Sequence, residues 1–111
     1  MKTTIILNSK TLGRGNDELG EKMMGNFLRK LWGLDKKPDI IIFYNSAVQL
    51  LVKGSPVLDA IDALGKAGVD LIACVTCVDF YKLEGKLAAG RVSDMQEIAS
   101  TLMKSDKVIT P

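Results

Sequence analysis

Two kinds of run take turns along this chain, and their order predicts its architecture. Short apolar stretches at Thr3–Leu7, Asp39–Tyr44, Val69–Cys74 and Lys107–Ile109 read as strands. The second is apolar on consecutive rather than alternate positions, which predicts a strand covered on both faces in the middle of a parallel sheet. Between these runs the apolar spacing is helical. Asp17 is placed to cap a helix in which Leu19, Met23, Phe27 and Leu31 recur every fourth residue, widened by Met24 and Leu28 and ended by Gly33 and Pro38. Ser55-Pro56 opens a second helix, serine as N-cap and proline at the first helical position. Val57, Leu58, Ile61 and Leu64 face inward, and Gly68 is the stop. Ser93 with Gln96 three residues on reads as a capping box for a last helix reaching Lys104, with Met95, Ile98 and Leu102 inward.

Two segments are ambiguous. Val48–Val52 is too short to separate strand from helix, and Asp79–Gly90, interrupted by Gly85 and Gly90, reads as a short helix in a loop. The order is therefore βαβ(β)αβαβ. Strands separated by helices cannot pair as hairpins, and right-handed crossovers lay the helices on both faces of the sheet. The expected fold is α/β, a three-layer α/β/α sandwich around a mostly parallel sheet of about five strands, with residues 1–111 forming a single domain.

Composition narrows the function. With 47% apolar and 25% charged residues the chain has the balance of a globular domain. A net charge of +2, from 15 basic and 13 acidic residues without clustering, gives no nucleic-acid footprint. The longest apolar runs, such as Ile40–Tyr44, fall far short of the ~20 residues of a membrane span, so no membrane partner is expected. The first residues do not resemble a signal peptide, which makes the cytoplasm the expected compartment. There, two cysteines close in sequence are more often redox-active, catalytic or metal-binding than structural staples.

Cys74 and Cys77, the only cysteines, stand at the end of the third apolar run, where α/β proteins gather their ligands. Zinc requires four ligands, and a chain with two cysteines and no histidine does not supply them, so no metal and no cofactor are expected. A thioredoxin-like dithiol needs a turn at Val75-Thr76, two β-branched residues that resist positive φ. A sulfur carrier would hold a persulfide on one thiol while the other assists or releases it; a strand end beside helix N-termini favours the thiolate form. Against all three stands the reading of both residues as small hydrophobes at the end of a core strand. Without histidine, conventional serine or cysteine hydrolase machinery is missing.

Asn8, Ser9, Asn45 and Ser46 terminate strands and are expected near the same rim, with Thr76 between the thiols. They either orient a ligand or satisfy loop backbone. Arg14, in Gly13-Arg14-Gly15, can lend positive charge, although that loop matches neither G-x-G-x-x-G nor a P-loop.

The segments Leu12–Gly20, Pro38–Val48 and Gly68–Tyr81 together resemble the DsrE/DsrF-like superfamily, and most closely the carboxyl-terminal domain of YedF-type proteins associated with sulfur and selenium metabolism. The most specific parts are the Cys-x-x-Cys pair followed by Asp79-Phe80-Tyr81, and Asp94-Met95 before a helix. The resemblance covers almost the whole chain. It implies a three-layer α/β/α subunit that forms homo-oligomers, dimer or trimer, and passes sulfur between proteins as a cysteine persulfide. The implied partners are sulfur donor and acceptor proteins, among them a small sulfur-carrier protein. Cys74 corresponds to the relay cysteine, and Cys77 to the extra thiol of the two-cysteine branch. Two departures stand out: Val75 where glycine is expected and Asp94 where asparagine is expected. The sulfur-carrier domain with a Cys-Pro motif that YedF-type proteins join to this one is expected from a partner in trans, unless the sequence is a fragment. The rival expectations are a non-catalytic oligomeric binding module with structural cysteines and a dithiol redox protein.

Overall fold

The structure, a computed structural model, describes residues 2–111. Five parallel strands, β1 (Thr3–Leu7), β2 (Ile40–Phe43), β3 (Asp70–Cys74), β4 (Arg91–Ser93) and β5 (Lys107–Ile109), form one sheet in the order β4-β3-β2-β1-β5. The helices are α1 (Asp17–Gly33), α2 (Leu58–Lys66), α3 (Val75–Phe80) and α4 (Met95–Lys104), with a 3₁₀ helix over Asn45–Leu51. This is the three-layer α/β/α arrangement, and β2, the most continuously apolar run, is its central strand and is buried throughout.

Successive strand residues point to opposite faces, so each strand divides its side chains between two cores. Ile5, Leu7, Ile41, Phe43, Leu71 and Ala73 meet Met24, Leu28 and Leu31 of α1 and Ile61 and Leu64 of α2. On the other face Ile40, Ile42, Ile72 and Cys74 meet Ile98 of α4, with Leu102 partly buried beside them. No helix among the described residues is long and apolar enough to cross a membrane.

Several expectations are corrected, each for a local reason. Asn16, not Asp17, caps α1: its Oδ1 accepts the Leu19 N–H at 2.9 Å, and Asp17 becomes the first helical residue, where a negative charge suits the helix dipole. The buried stripe of α1 is Gly20, Met24, Gly25, Leu28 and Leu31, while Leu19 and Met23 are exposed. The stripe is turned because Gly20 lies against the preceding loop, where a Cβ would come within 2.7 Å of Thr11 Cβ. A buried glycine is invisible to a reading that counts apolar side chains.

The second helix begins at Leu58, with Val57 at its N-cap and no side-chain cap. Ser55 closes a turn ahead of it, its carbonyl accepting the Leu58 N–H at 3.3 Å and its Oγ the Val57 N–H at 3.4 Å. Val48–Val52 is not a strand of the sheet. Its first four residues end the 3₁₀ helix, and Val52 makes one isolated antiparallel bridge to Leu87. The fifth strand is Arg91–Ser93 instead, three residues at an edge.

The helix expected within Asp79–Gly90 starts earlier, at Val75, and ends at Phe80. Its stop is a Schellman motif with Lys82 at φ 57 in the usual glycine place; Leu83 N–H bonds Val78 O at 2.9 Å and Lys82 N–H bonds Asp79 O at 3.1 Å. Ser93 belongs to β4, so Asp94 caps α4 by accepting the Glu97 N–H at 2.9 Å. Met95, expected inward, is half exposed.

Candidate functional site

β3 runs directly into α3, and the junction is Cys74. The alternation of faces along β3 points Cys74 with Ile72 toward α4, and it is 1% exposed there. The sulfur expected to meet visitors is therefore covered. Cys77, in the first turn of α3, is only partly buried and packs against both cores at the end of the sheet. The turn between the thiols needs no positive φ: Val75 and Thr76 enter a right-handed helix, which β-branched residues tolerate. One helical turn sets residues three apart at about 5 Å between Cα atoms, and Cys77 packs against the cluster that holds Cys74.

Asn45, the first residue of the 3₁₀ helix that follows β2, frames the site. It is one of two non-glycine residues in the left-handed region among those described, at φ 54, a conformation asparagine tolerates better than most. That backbone turn aims its N–H at Cys77 Sγ, 3.0 Å away, while its Oδ1 accepts from Tyr81 Oη at 3.3 Å. Asn45, Thr76, Cys77, Phe80 and Tyr81 line a cavity of about 340 Å³. Phe80, 77% exposed, meets Tyr81 edge to face at a centroid distance of 5.2 Å and forms an apolar lip beside the thiol.

Burial is the main influence on the Cys77 thiol and pushes it above its ordinary 9.0; contact with Cys74 adds to the rise. The Asn45 N–H acts in the opposite sense, since a donor on sulfur favours the thiolate. At rest Cys77 is thus protonated, with one donor in place to receive negative charge when it forms.

The other expected site residues lie elsewhere on the rim. Asn8, Ser9 and Arg14 line a separate cavity of about 600 Å³ beyond β1, closed on one side by Pro111 after β5. β1 and β3 are separated by β2, about 10 Å of sheet, so Arg14 does not serve the thiols. Ser9 and Ser46 hold loops together. Ser46 Oγ accepts the Lys10 N–H at 3.0 Å and lies 3.4 Å from Ser9 Oγ, which in turn accepts the Thr11 N–H at 3.2 Å. Of the polar candidates only Asn45 and Thr76 join the cysteines. Phe80 and Tyr81 were missed as lining residues; their place one turn after Cys77 would have shown them had the helix start at Val75 been legible. No group of three or more histidine, cysteine, aspartate or glutamate side chains among the described residues could hold a metal ion.

A model of the DsrE/DsrF-like family matches residues 18–111. Among solved structures, the ychN protein of E. coli is similar with a TM-score of 0.76 and 18% identity, covering 99% of this chain and 98% of its own. MTH1491 of Methanobacterium thermoautotrophicum, a protein of unknown function, gives 0.71 and 17%, over 99% and 98%. BT1422 of Bacteroides thetaiotaomicron, a conserved protein of unknown function, gives 0.66 and 16%, over 99% and 94%. At these identities the likeness is one of fold. No curated protein matches the sequence.

Proposed function

Because this chain belongs to the DsrE/DsrF-like family, which is linked in general to sulfur metabolism, we propose that it handles sulfane sulfur as a persulfide on its rim dithiol. The single observation that carries this reading is the half-open Cys77 thiol on its own cavity, with the Asn45 N–H 3.0 Å from the sulfur. In this reading Cys77, rather than the relay position Cys74, accepts the sulfur, because Cys74 is sealed at 1% exposure. The Cys77 thiol loses its proton as it attacks the outer sulfur of a donor persulfide, the donor leaves as a thiolate that takes up that proton, and the sulfur rests on Cys77 until an acceptor thiol takes it. The cavity's aromatic lip suits a cysteine presented on a protein segment, so the proposed donor and acceptor are proteins, a small sulfur carrier among them. Half-exposed Leu19, Trp32 and Met95 and the more exposed Met103 support self-association into a homo-oligomer.

The test is intact-mass measurement after incubation with a persulfide donor. The wild type is expected to gain one sulfur atom and Cys77→Ser to gain none; an unchanged wild-type mass, or equal uptake by Cys77→Ser, ends the proposal. One observation favours a second reading. The burial of Cys74 at 1% exposure, in one apolar cluster with Ile72 and Ile98, suits a binding module with structural cysteines. That reading requires Cys74→Ser/Cys77→Ser to retain every partner and its cellular role.

A further inference from the structure

We infer that Cys74 is a resolving thiol, and that the sulfurated protein can discharge its cargo as inorganic sulfide instead of only passing it on. This rests on the sulfur-accepting reading of Cys77.

A donor protein cannot reach a sulfur that is 1% exposed behind Ile72 and Ile98, so any chemistry of Cys74 must be with a neighbour inside the protein. That neighbour is Cys77. Cys74 at the N-cap and Cys77 three residues on are the pair of positions that meet at a helix start, and Cys77 packs against the cluster that holds Cys74. The Cα spacing of about 5 Å set by one turn lies inside the range a disulfide accepts. Sulfur loaded on Cys77 extends into the cavity lined by Thr76, Phe80 and Tyr81, while the inner sulfur, still held by the Asn45 N–H, stays one helical turn from Cys74.

The two sulfurs of that persulfide therefore face different reagents. An acceptor from outside meets the outer one. Cys74 meets the inner one, and its attack there forms the Cys74–Cys77 disulfide, breaks the bond to the outer sulfur and expels it as hydrosulfide, which carries away the Cys74 proton as H₂S. The thiols are oxidised by two electrons and the sulfane sulfur is reduced by two, so the step balances without another reagent. Hydrosulfide is more acidic than an alkyl thiol and leaves more readily, which favours this direction. A dithiol reductant from solution then restores both thiols for another round. The substrate class is a persulfide or polysulfide, and the choice between transfer and release depends on whether an acceptor thiol occupies the cavity before Cys74 attacks.

The experiment loads fully reduced protein with inorganic polysulfide in the cold, removes the excess, and follows intact mass and released sulfide on warming. The wild type is expected to lose its sulfur adduct, release one sulfide per chain and become two hydrogens lighter than the reduced protein. Cys74→Ala, which keeps the site apolar, and Cys74→Ser are both expected to hold the adduct and release no sulfide. A stable wild-type adduct without sulfide, or sulfide release by Cys74→Ala at the wild-type rate, overturns the resolving role while sulfur acceptance stands. If no protein takes up sulfur, the sulfur-accepting reading fails first and this inference with it.

Discussion

The two faces of the sheet are built unequally. Among the described residues, nineteen buried apolar residues lie with α1, α2, α3 and the 3₁₀ helix on one face, whereas the α4 face holds five, Ile40, Ile42, Ile72, Cys74 and Ile98. The thick face has redundancy, so any one side chain shares its role with many. The thin face depends on a single helix anchored by one fully buried residue, Ile98, and by ion pairs at its margin. Arg91 of β4 reaches Asp70 of β3 through Nε and Nη2 at 3.0 Å and Glu97 of α4 through Nη1 and Nη2 at 2.9 Å, and Ser93 donates to the same Glu97 carboxylate. Cys74 lies on the thin face and Cys77 at the seam where both cores end. The site is thus rooted where packing is sparsest and where local opening costs least.

The strongest way to probe this inequality is to cut one large side chain from each face. Phe43→Ala should lose about 3–5 kcal/mol and Ile98→Ala about 2–5 kcal/mol in urea unfolding. Their patterns should differ. Amide exchange in Phe43→Ala should accelerate across the whole sheet, while in Ile98→Ala the first protection lost should be that of Met95–Lys104. If both variants lose protection uniformly, the thin face is no separate unit.

The clamp at the margin should matter less. Its partners are nearly half exposed, so Arg91→Ala should cost no more than about 1 kcal/mol at neutral pH. Its signature is the pH dependence. Arg91, and then Ser93, hold the Glu97 carboxyl down at about 2, below its ordinary 4.5. A depressed folded value means the contribution is fully present above pH 4.5 and is lost as pH falls through about 2. Stability measured from pH 6 downward should therefore fall less steeply in Arg91→Ala than in the wild type over this window. Identical acid limbs would show that the clamp is not holding α4.

At the seam the expected stability effect is smallest. Phe80→Ala removes a side chain that is mostly in solvent and should change stability by no more than about 0.5 kcal/mol. Because burial is what raises Cys77, the same variant should alkylate faster at a fixed pH near 8. In the wild type the alkylation rate should still be climbing past pH 9.0, the ordinary thiol value. A plateau below that pH would contradict a thiol held protonated by burial.

Much of this was legible in residue order. Consecutive apolar residues at Ile40–Phe43 identified the central strand, and the strand-end position of Cys74 and Cys77 located the rim that carries the dithiol. Other features were hidden because one residue type serves several roles. Buried Gly20 and Gly25 count as nothing in an apolar stripe, so the face of α1 came out turned. Val75 and Thr76 have strand propensity, so a helix starting there was not visible, and with it went the one-turn spacing of the thiols and the lining role of Phe80 and Tyr81. Arg14, Ser9 and Ser46 share a rim with the site in sequence terms but belong to another strand or to loop hydrogen bonds.

By itself, then, the chain's order of apolar runs determined the layering, the central strand and the end of the sheet where the cysteines would stand, because covering both faces of a strand demands continuous apolar residues and the strand's end is a matter of counting. Which thiol is sealed and which is open was decided only in three dimensions. That depends on the face to which Cys74 turns, on Ile98 arriving there from a helix far along the chain, and on one asparagine in a left-handed turn delivering its N–H to Cys77. None of these is a property of local sequence, since each depends on what another segment places against the site.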